Sequence, residues 1–243
     1  MPPQLWVQGA SVRWRPDFRF YEARTRFLSR LDEKGLIRAW RVEGEEVSAL
    51  LRDADHEALL DTGSITVIGT TLEPDIERLI FAAETAVKEL GISRLTTMRV
   101  QFQYIYPLEG SYDKVRIESA RRLLSSLADL RVTDYAVLLD GQRDDLSFEY
   151  KLEFGIVSRT EIPLRLSRLI GRMKGEEKQQ SLPRSLNYSK LPKVALFADM
   201  SWRYAQAPVA SEAGGALREL WAGGRREADA LLEQIKSTVT DKS

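Results

Sequence analysis

Residues 98–107, MRVQFQYIYP, place Met98, Val100, Phe102, Tyr104 and Tyr106 at every second position, with mainly polar residues between them. A period of two is the signature of a β-strand, whose successive side chains point to opposite faces, so one face here is buried and the other polar. The segment FEYKLEFGIV, from residue 148, repeats the pattern: Phe148, Tyr150, Leu152, Phe154 and Ile156 are in phase against Glu149, Lys151 and Glu153. So does ALFADMSWRY, from residue 195, where Leu196, Ala198, Met200, Trp202 and Tyr204 share one face and Asp199, Ser201 and Arg203 the other. Aromatic residues that keep one phase over three strands form a core rather than a platform for bases, because amphipathic helices are at hand to cover them.

Those helices flank the strands. Near 17–34, Phe20, Ala23, Phe27 and Leu31 recur at helical spacing and Gly35 follows as a C-cap. Near 73–90, Ile76, Leu79, Ile80, Ala83, Val87 and Leu90 form a stripe between Pro74 in the first turn and Gly91 after the last. A third helix is expected near 112–129, with Ile117, Ala120, Leu124 and Leu127 inward and Arg121 and Arg122 on the solvent side. A fourth is expected near 211–236, bent or weakened by Gly223 and Gly224. Thr62–Gly63 and Asp140–Gly141 lie between apolar runs and are expected as hairpin turns.

Hairpin-linked amphipathic strands with helices to cover one face give an α+β fold built on antiparallel sheets. The order strand, helix, short strands, helix occurs twice, predicting two pseudo-duplicated modules at 1–92 and 93–243, each a curved antiparallel sheet packed by helices on one face. This element order resembles the TATA-binding-protein-like arrangement, which implies a curved sheet with an exposed polar face. The C-terminal LLEQIKSTVTDKS, together with RVQFQYIYP and LFADMSWRY, resembles a sporadically distributed family of bacterial proteins that close with a helix and a short Thr-Asp motif, here Thr240 and Asp241. That resemblance assigns no reaction, ligand or site residue.

The chain contains no cysteine, which removes disulfides, thiolate metal sites and a cysteine nucleophile and makes the cytoplasm the expected location. Neither a signal peptide nor a bilayer-spanning run is present, so membrane insertion is not expected. Thirty-six basic and thirty-six acidic residues cancel, leaving no global field toward nucleic acid or an anionic membrane. Locally the charges segregate: residues 1–41 hold nine basic against four acidic residues, and 43–57 hold six acids with only Arg52.

No pattern for a phosphate loop, dinucleotide, zinc or calcium appears, and no cofactor or metal is expected. The single histidine, His56, stands between Asp55 and Glu57 and is expected to be exposed, since one histidine without a nucleophile defines no triad. Asp199 is expected on the polar strand face in a solvated ion pair with Arg203. In LLDGQRDDLSFEYKLEF, Asp140, Glu149 and Lys151 resemble a restriction-endonuclease-like nuclease pattern, in which two carboxylates hold a divalent cation and the lysine activates water. Charged alternation on any strand produces the same spacing.

The connection 165–193 carries Arg165, Arg168, Arg172, Lys174, Lys178, Arg184, Lys190 and Lys193 against Glu176 and Glu177, and is expected as an exposed basic loop inserted in the second module. Tyr188 would add a stacking contact. The function expected from these features is non-catalytic binding of another macromolecule, protein or nucleic acid, through the polar sheet face and this loop. The alternatives are the nuclease and a small-ligand-binding protein.

Overall fold

The computed structural model describes residues 4–51, 56–69, 75–123, 136–142, 148–166 and 191–240. In chain order the elements are β1 (Gln4–Arg13), α1 (Phe20–Glu33), β2 (Ile37–Glu43), β3 (Glu46–Leu51), β4 (His56–Asp61), β5 (Ser64–Gly69), α2 (Ile76–Glu89), β6 (Thr97–Pro107), α3 (Tyr112–Leu123), β7 (Val137–Gln142), β8 (Phe148–Ser158), β9 (Val194–Tyr204) and α4 (Ala213–Thr240). The fold is α+β. The strands join in one antiparallel sheet of order β2-β3-β4-β5-β1-β6-β9-β8-β7, with β1 and β6 side by side near its centre.

The aromatic phase read from the sequence is the core phase. Val100, Phe102 and Tyr104 of β6, Met200 and Trp202 of β9 and Leu152 and Phe154 of β8 lie in one buried cluster with residues from α1, α2 and α4. Helix α1 contributes Phe20, Ala23, Phe27 and Leu31, and Gly35 beyond it takes the left-handed conformation, φ 64°, that ends the helix. Helix α2 is capped by the Asp75 side chain, which accepts a hydrogen bond from the Arg78 backbone, and Gly91 at φ 61° follows its last turn. Pro74 and the stripe residues Leu124 and Leu127 lie outside the described residues. In α3 Ala120 is buried, but Ile117 is more than one-third exposed. Arg122 is not a surface charge as expected, because its guanidinium donates to the Val239 carbonyl near the end of α4.

One glycine reading changes and another gains a packing reason. α4 runs 28 residues without interruption through Gly223 and Gly224. A methyl at Gly224 would lie 3.1 Å from Val100, 3.3 Å from Phe102 and 3.4 Å from Trp202, so the missing side chain lets the helix approach the sheet closely. One turn earlier, Trp221 meets Phe102 edge-on with ring centres 5.6 Å apart. Asp140–Gly141 is not a turn but lies within β7. The Tyr150 ring on β8 comes within 2.5 Å of where a Gly141 Cβ would sit, so the aromatic covers its cross-strand partner. Thr62–Gly63 does connect the antiparallel β4 and β5.

The charge segregation of residues 1–41 does not persist in space. Arg26 and Arg30 both reach Glu89 of α2, Arg24 reaches the Gly44 carbonyl and Arg41 pairs with Glu43. No helix among the described residues is long and apolar enough to cross a membrane.

Replacing Gly224 by leucine is expected to lower stability by about 1–3 kcal/mol through overpacking. Gly215→Ala meets nothing within 4 Å and should raise stability by about 0.5–1 kcal/mol through the lower entropy of the unfolded chain. Urea titrations of both variants would show opposite shifts of midpoint if α4 is held as described.

Candidate functional site

Alternation that turns one set of side chains to the helices turns the other set to the second face of the sheet. On β6 these are Arg99, Gln101, Gln103 and Ile105; opposite them on β9 stand Arg203, Ser201, Asp199 and Phe197. Across β8 the rows continue: Arg203 faces Glu149, Ser201 faces Lys151 and Asp199 faces Glu153. This face divides into an apolar end, a polar centre and a charged margin.

The apolar end is roofed. Val7, Ile68, Ile105, Val157, Ala195 and Phe197 form a second buried cluster with Ile162, Leu166 and Leu191. Ile162 and Leu166 belong to a helical stretch at 161–166, and its start is marked by Glu161, whose carboxylate accepts from the Ser158 backbone and hydroxyl at 2.7 Å. This Ser-x-x-Glu capping arrangement was legible before the apolar Ile162 and Leu166. The expected exposed loop therefore begins and ends on the sheet. Its first basic residue, Arg165, is bound to Glu153 at 2.6 Å. Arg168, Arg172, Lys174, Lys178, Arg184, Tyr188 and Lys190 lie outside the described residues.

The polar centre is withdrawn from solvent, against the expectation of an exposed face. Gln103 is 0% and Asp199 8% exposed, and Ser11, Thr66, Gln101 and Ser201 are also buried. Asp199 is not paired with Arg203 as expected: its carboxylate accepts from Gln101 Nε2 at 2.5 Å and from Gln103 Nε2 at 3.2 Å, while Arg99 donates to Gln101 Oε1 at 3.1 Å. Burial of a carboxylate is costly unless hydrogen bonds replace water, and the two amides supply them. The signal in the sequence was Gln101 and Gln103 sharing the outward phase of β6. Burial of that phase depends on tertiary packing and was not legible.

The charged margin lies on β7–β9. Arg203 instead holds Glu149, with Nε 2.6 Å from Oε2, and Lys151 lies 3.5 Å from Asp140 across the β7–β8 pair. The three residues of the nuclease pattern thus share one face on adjacent strands. Each carboxylate faces a cation of this chain. No group of three or more acidic or histidine side chains that could hold a metal occurs among the described residues.

His56 is buried, at 1% exposure, rather than solvent-facing. It stands on the helix face of β4 opposite Gly69, which is in turn opposite Gln8 of β1. A further polar group lies beneath α4. Arg225 donates to Gln8 Oε1 at 3.1 Å and to Asp229, and Asp229 accepts from the Tyr104 hydroxyl at 2.7 Å. Burial pushes the Tyr104 phenol well above its ordinary value, and its hydrogen bond to Asp229 adds to the shift. Tyr204 is pushed up to about 12, by burial first and then by Glu219. Elsewhere a cleft of about 560 Å³ separates the end of α2 from the start of α4, lined by Glu84, Val87, Lys88, Ile92, Val209 and Ser211 among others.

Asp199→Leu would leave two buried amides without their acceptor, and a stability loss of about 1–3 kcal/mol is expected in denaturant titration. For Tyr104 the folded state favours the protonated phenol, so its contribution is complete below the ordinary tyrosine range and declines as pH rises through and above it. Tyr104→Phe should cost about 0.5–1.5 kcal/mol at neutral pH and flatten the alkaline fall of the urea midpoint. An unchanged alkaline profile would remove Tyr104 from that role.

No protein-family model matches this chain, and no curated protein matches it.

Proposed function

We propose that this chain is a non-catalytic binding protein that engages another macromolecule through the charged margin of its second sheet face, extended by the basic connection 165–193. The observation that carries this reading is the layout of the margin. Exposed Asp140, Lys151 and Arg203 and half-buried Glu149 alternate in sign over three adjacent strands, beside a buried network that holds the strand positions fixed. Exposed ion pairs contribute little to the fold, so they can exchange partners at small cost. A rigid field of alternating charge favours a protein surface of complementary pattern over a polyanion.

The same reading takes the chain as two pseudo-duplicated modules within one sheet; in its favour, β5 lies beside β1 and β9 beside β6. A cytoplasmic location follows from the same reading and the lack of cysteine. The nuclease alternative is less well supported, because Lys151 and Arg203 already neutralise the carboxylates that a divalent cation would need.

The test is affinity capture of the tagged chain from cells with nucleic acid retained, comparing the native protein with a Lys151→Glu, Arg203→Glu variant and with charge reversal at Arg172, Lys174 and Lys178. Loss of a specific protein in the first variant is the expected result. A nucleic-acid partner would show binding that falls steeply with salt and fails in the second variant. Magnesium-dependent cleavage lost in Glu149→Ala would replace the binding reading with the nuclease. A small molecule retained in native mass spectrometry would instead point to a ligand-binding protein.

A further inference from the structure

Glu84, Val87 and Lys88 stand at i, i+3 and i+4 of α2 and share one face of that helix. The face forms one wall of the cleft between the end of α2 and the start of α4, and residues 209–211 with Ala213 and Gly214 form the other. A glutamate four residues before a lysine is the order that favours an ion pair along a helix. Here the pair is not made. The Glu84 carboxylate lies over Gly214, whose missing side chain leaves it room, and its Oε1 reaches Arg218 at 3.5 Å. Arg218 is held more closely by Glu77, at 2.8 Å. Glu84 Oε2 and the Lys88 ammonium have no partner among the described residues. The wall thus presents an open carboxylate oxygen and an open cation one helical turn apart, with the apolar Val87 beside them. Val209, on the facing wall, is 59% exposed.

We propose that this cleft binds a small zwitterion, an α-amino acid with an apolar side chain. Its ammonium group is held by Glu84 and its carboxylate by Lys88, with the Ser211 hydroxyl as a further donor, while its side chain covers Val87, Ile92 and Val209. The volume of about 560 Å³ suits such a ligand, since small-molecule sites run from roughly 300 to 1,000 Å³ and pair apolar walls with a few placed polar groups. Charge selects the class. A ligand with a carboxylate alone would meet the Glu84 charge unmatched, and one with an amine alone would add a second cation beside Lys88. Only a ligand with both charges is complementary at both positions. The cleft lies on the helix side of the sheet, away from the charged margin, and the proposal is independent of the macromolecular contact made there.

Leucine, N-acetylleucine and leucinamide share one apolar body and differ in charge, so titrating each into the isotope-labelled chain and following backbone amide NMR shifts tests the assignment. Leucine is expected to give saturable shifts at Val87, Ile92 and Val209 with a dissociation constant of about a millimolar or tighter, and each singly charged analogue to bind at least about tenfold more weakly. Two variants then assign the charges. In Lys88→Ala, leucine should fall to the affinity of leucinamide while leucinamide itself is unchanged. In Glu84→Gln, leucine should fall to the affinity of N-acetylleucine while N-acetylleucine is unchanged. A variant that had merely unfolded would lose the analogue as well, and its amide spectrum would collapse. The proposal is overturned by the absence of saturable shifts with leucine up to about ten millimolar, or by shifts that saturate away from the cleft. Equal binding of leucine and either analogue, or leucine affinity unchanged in both variants, would overturn it too.

Discussion

The contact between α4 and the sheet through Gly224 governs how the rest of the molecule packs. A helix of 28 residues lies over β6 and β9 close enough that Val100, Phe102 and Trp202 fill the space a side chain would have taken, and Trp221 closes on Phe102 from one turn earlier. Interiors at crystal-like density respond to a single methyl group, so this spacing fixes the height of α4 above the strands. From that height Leu217, Leu220 and Leu232 reach the core. The same helix carries Arg218 to Glu77 and Glu84 of α2 and receives Arg122 from α3. At its start, Gly214 has no side chain where the Glu84 carboxylate lies, since a Cβ there would be 1.3 Å from Glu84 Oε1.

With one face closed by helices, the character of the other is decided by its polar residues. Buried singly, Gln101, Gln103 and Asp199 would each lose the hydrogen bonds that they make to one another here. Together they exchange hydrogen bonds across two strands, so the strands' relative position is specified as well as their contact. At the margin, where water reaches, the same alternation yields ion pairs that specify little.

Periodicity made the strands and the helical faces legible, since burial of one face leaves a phase that the residues must obey. The helix stops at Gly35 and Gly91 were legible for a related reason, because only a residue without Cβ enters the left-handed region freely. Readings failed where a residue's role depends on something distant in sequence. Gly141 looks like a turn until Tyr150 is placed over it, and Gly224 looks like a weak point until Phe102 and Trp202 are brought beneath it. Asp199 looks like a partner for Arg203, two register steps away on one face, until neighbouring strands offer Gln101 to one and Glu149 to the other. His56 sits among acids in sequence, yet the phase of β4 turns it inward.

The central pair has a consequence for the order in which the molecule can be assembled. β2 to β5 form a meander of neighbours in sequence, but β1 must find β6, with Gln8 opposite Phe102, and β6 must then find β9, with Phe102 opposite Met200. Each of these pairings closes a loop of roughly a hundred residues, which is slow to form compared with a hairpin. On a ribosome the first half of the chain emerges with β1 able to pair only on its β5 side. Its inner edge stays bare until β6 has been made, and the inner edge of β6 stays bare until nearly the whole chain is out. The interval between those events is when the nascent protein is most open to pairing with the wrong strand.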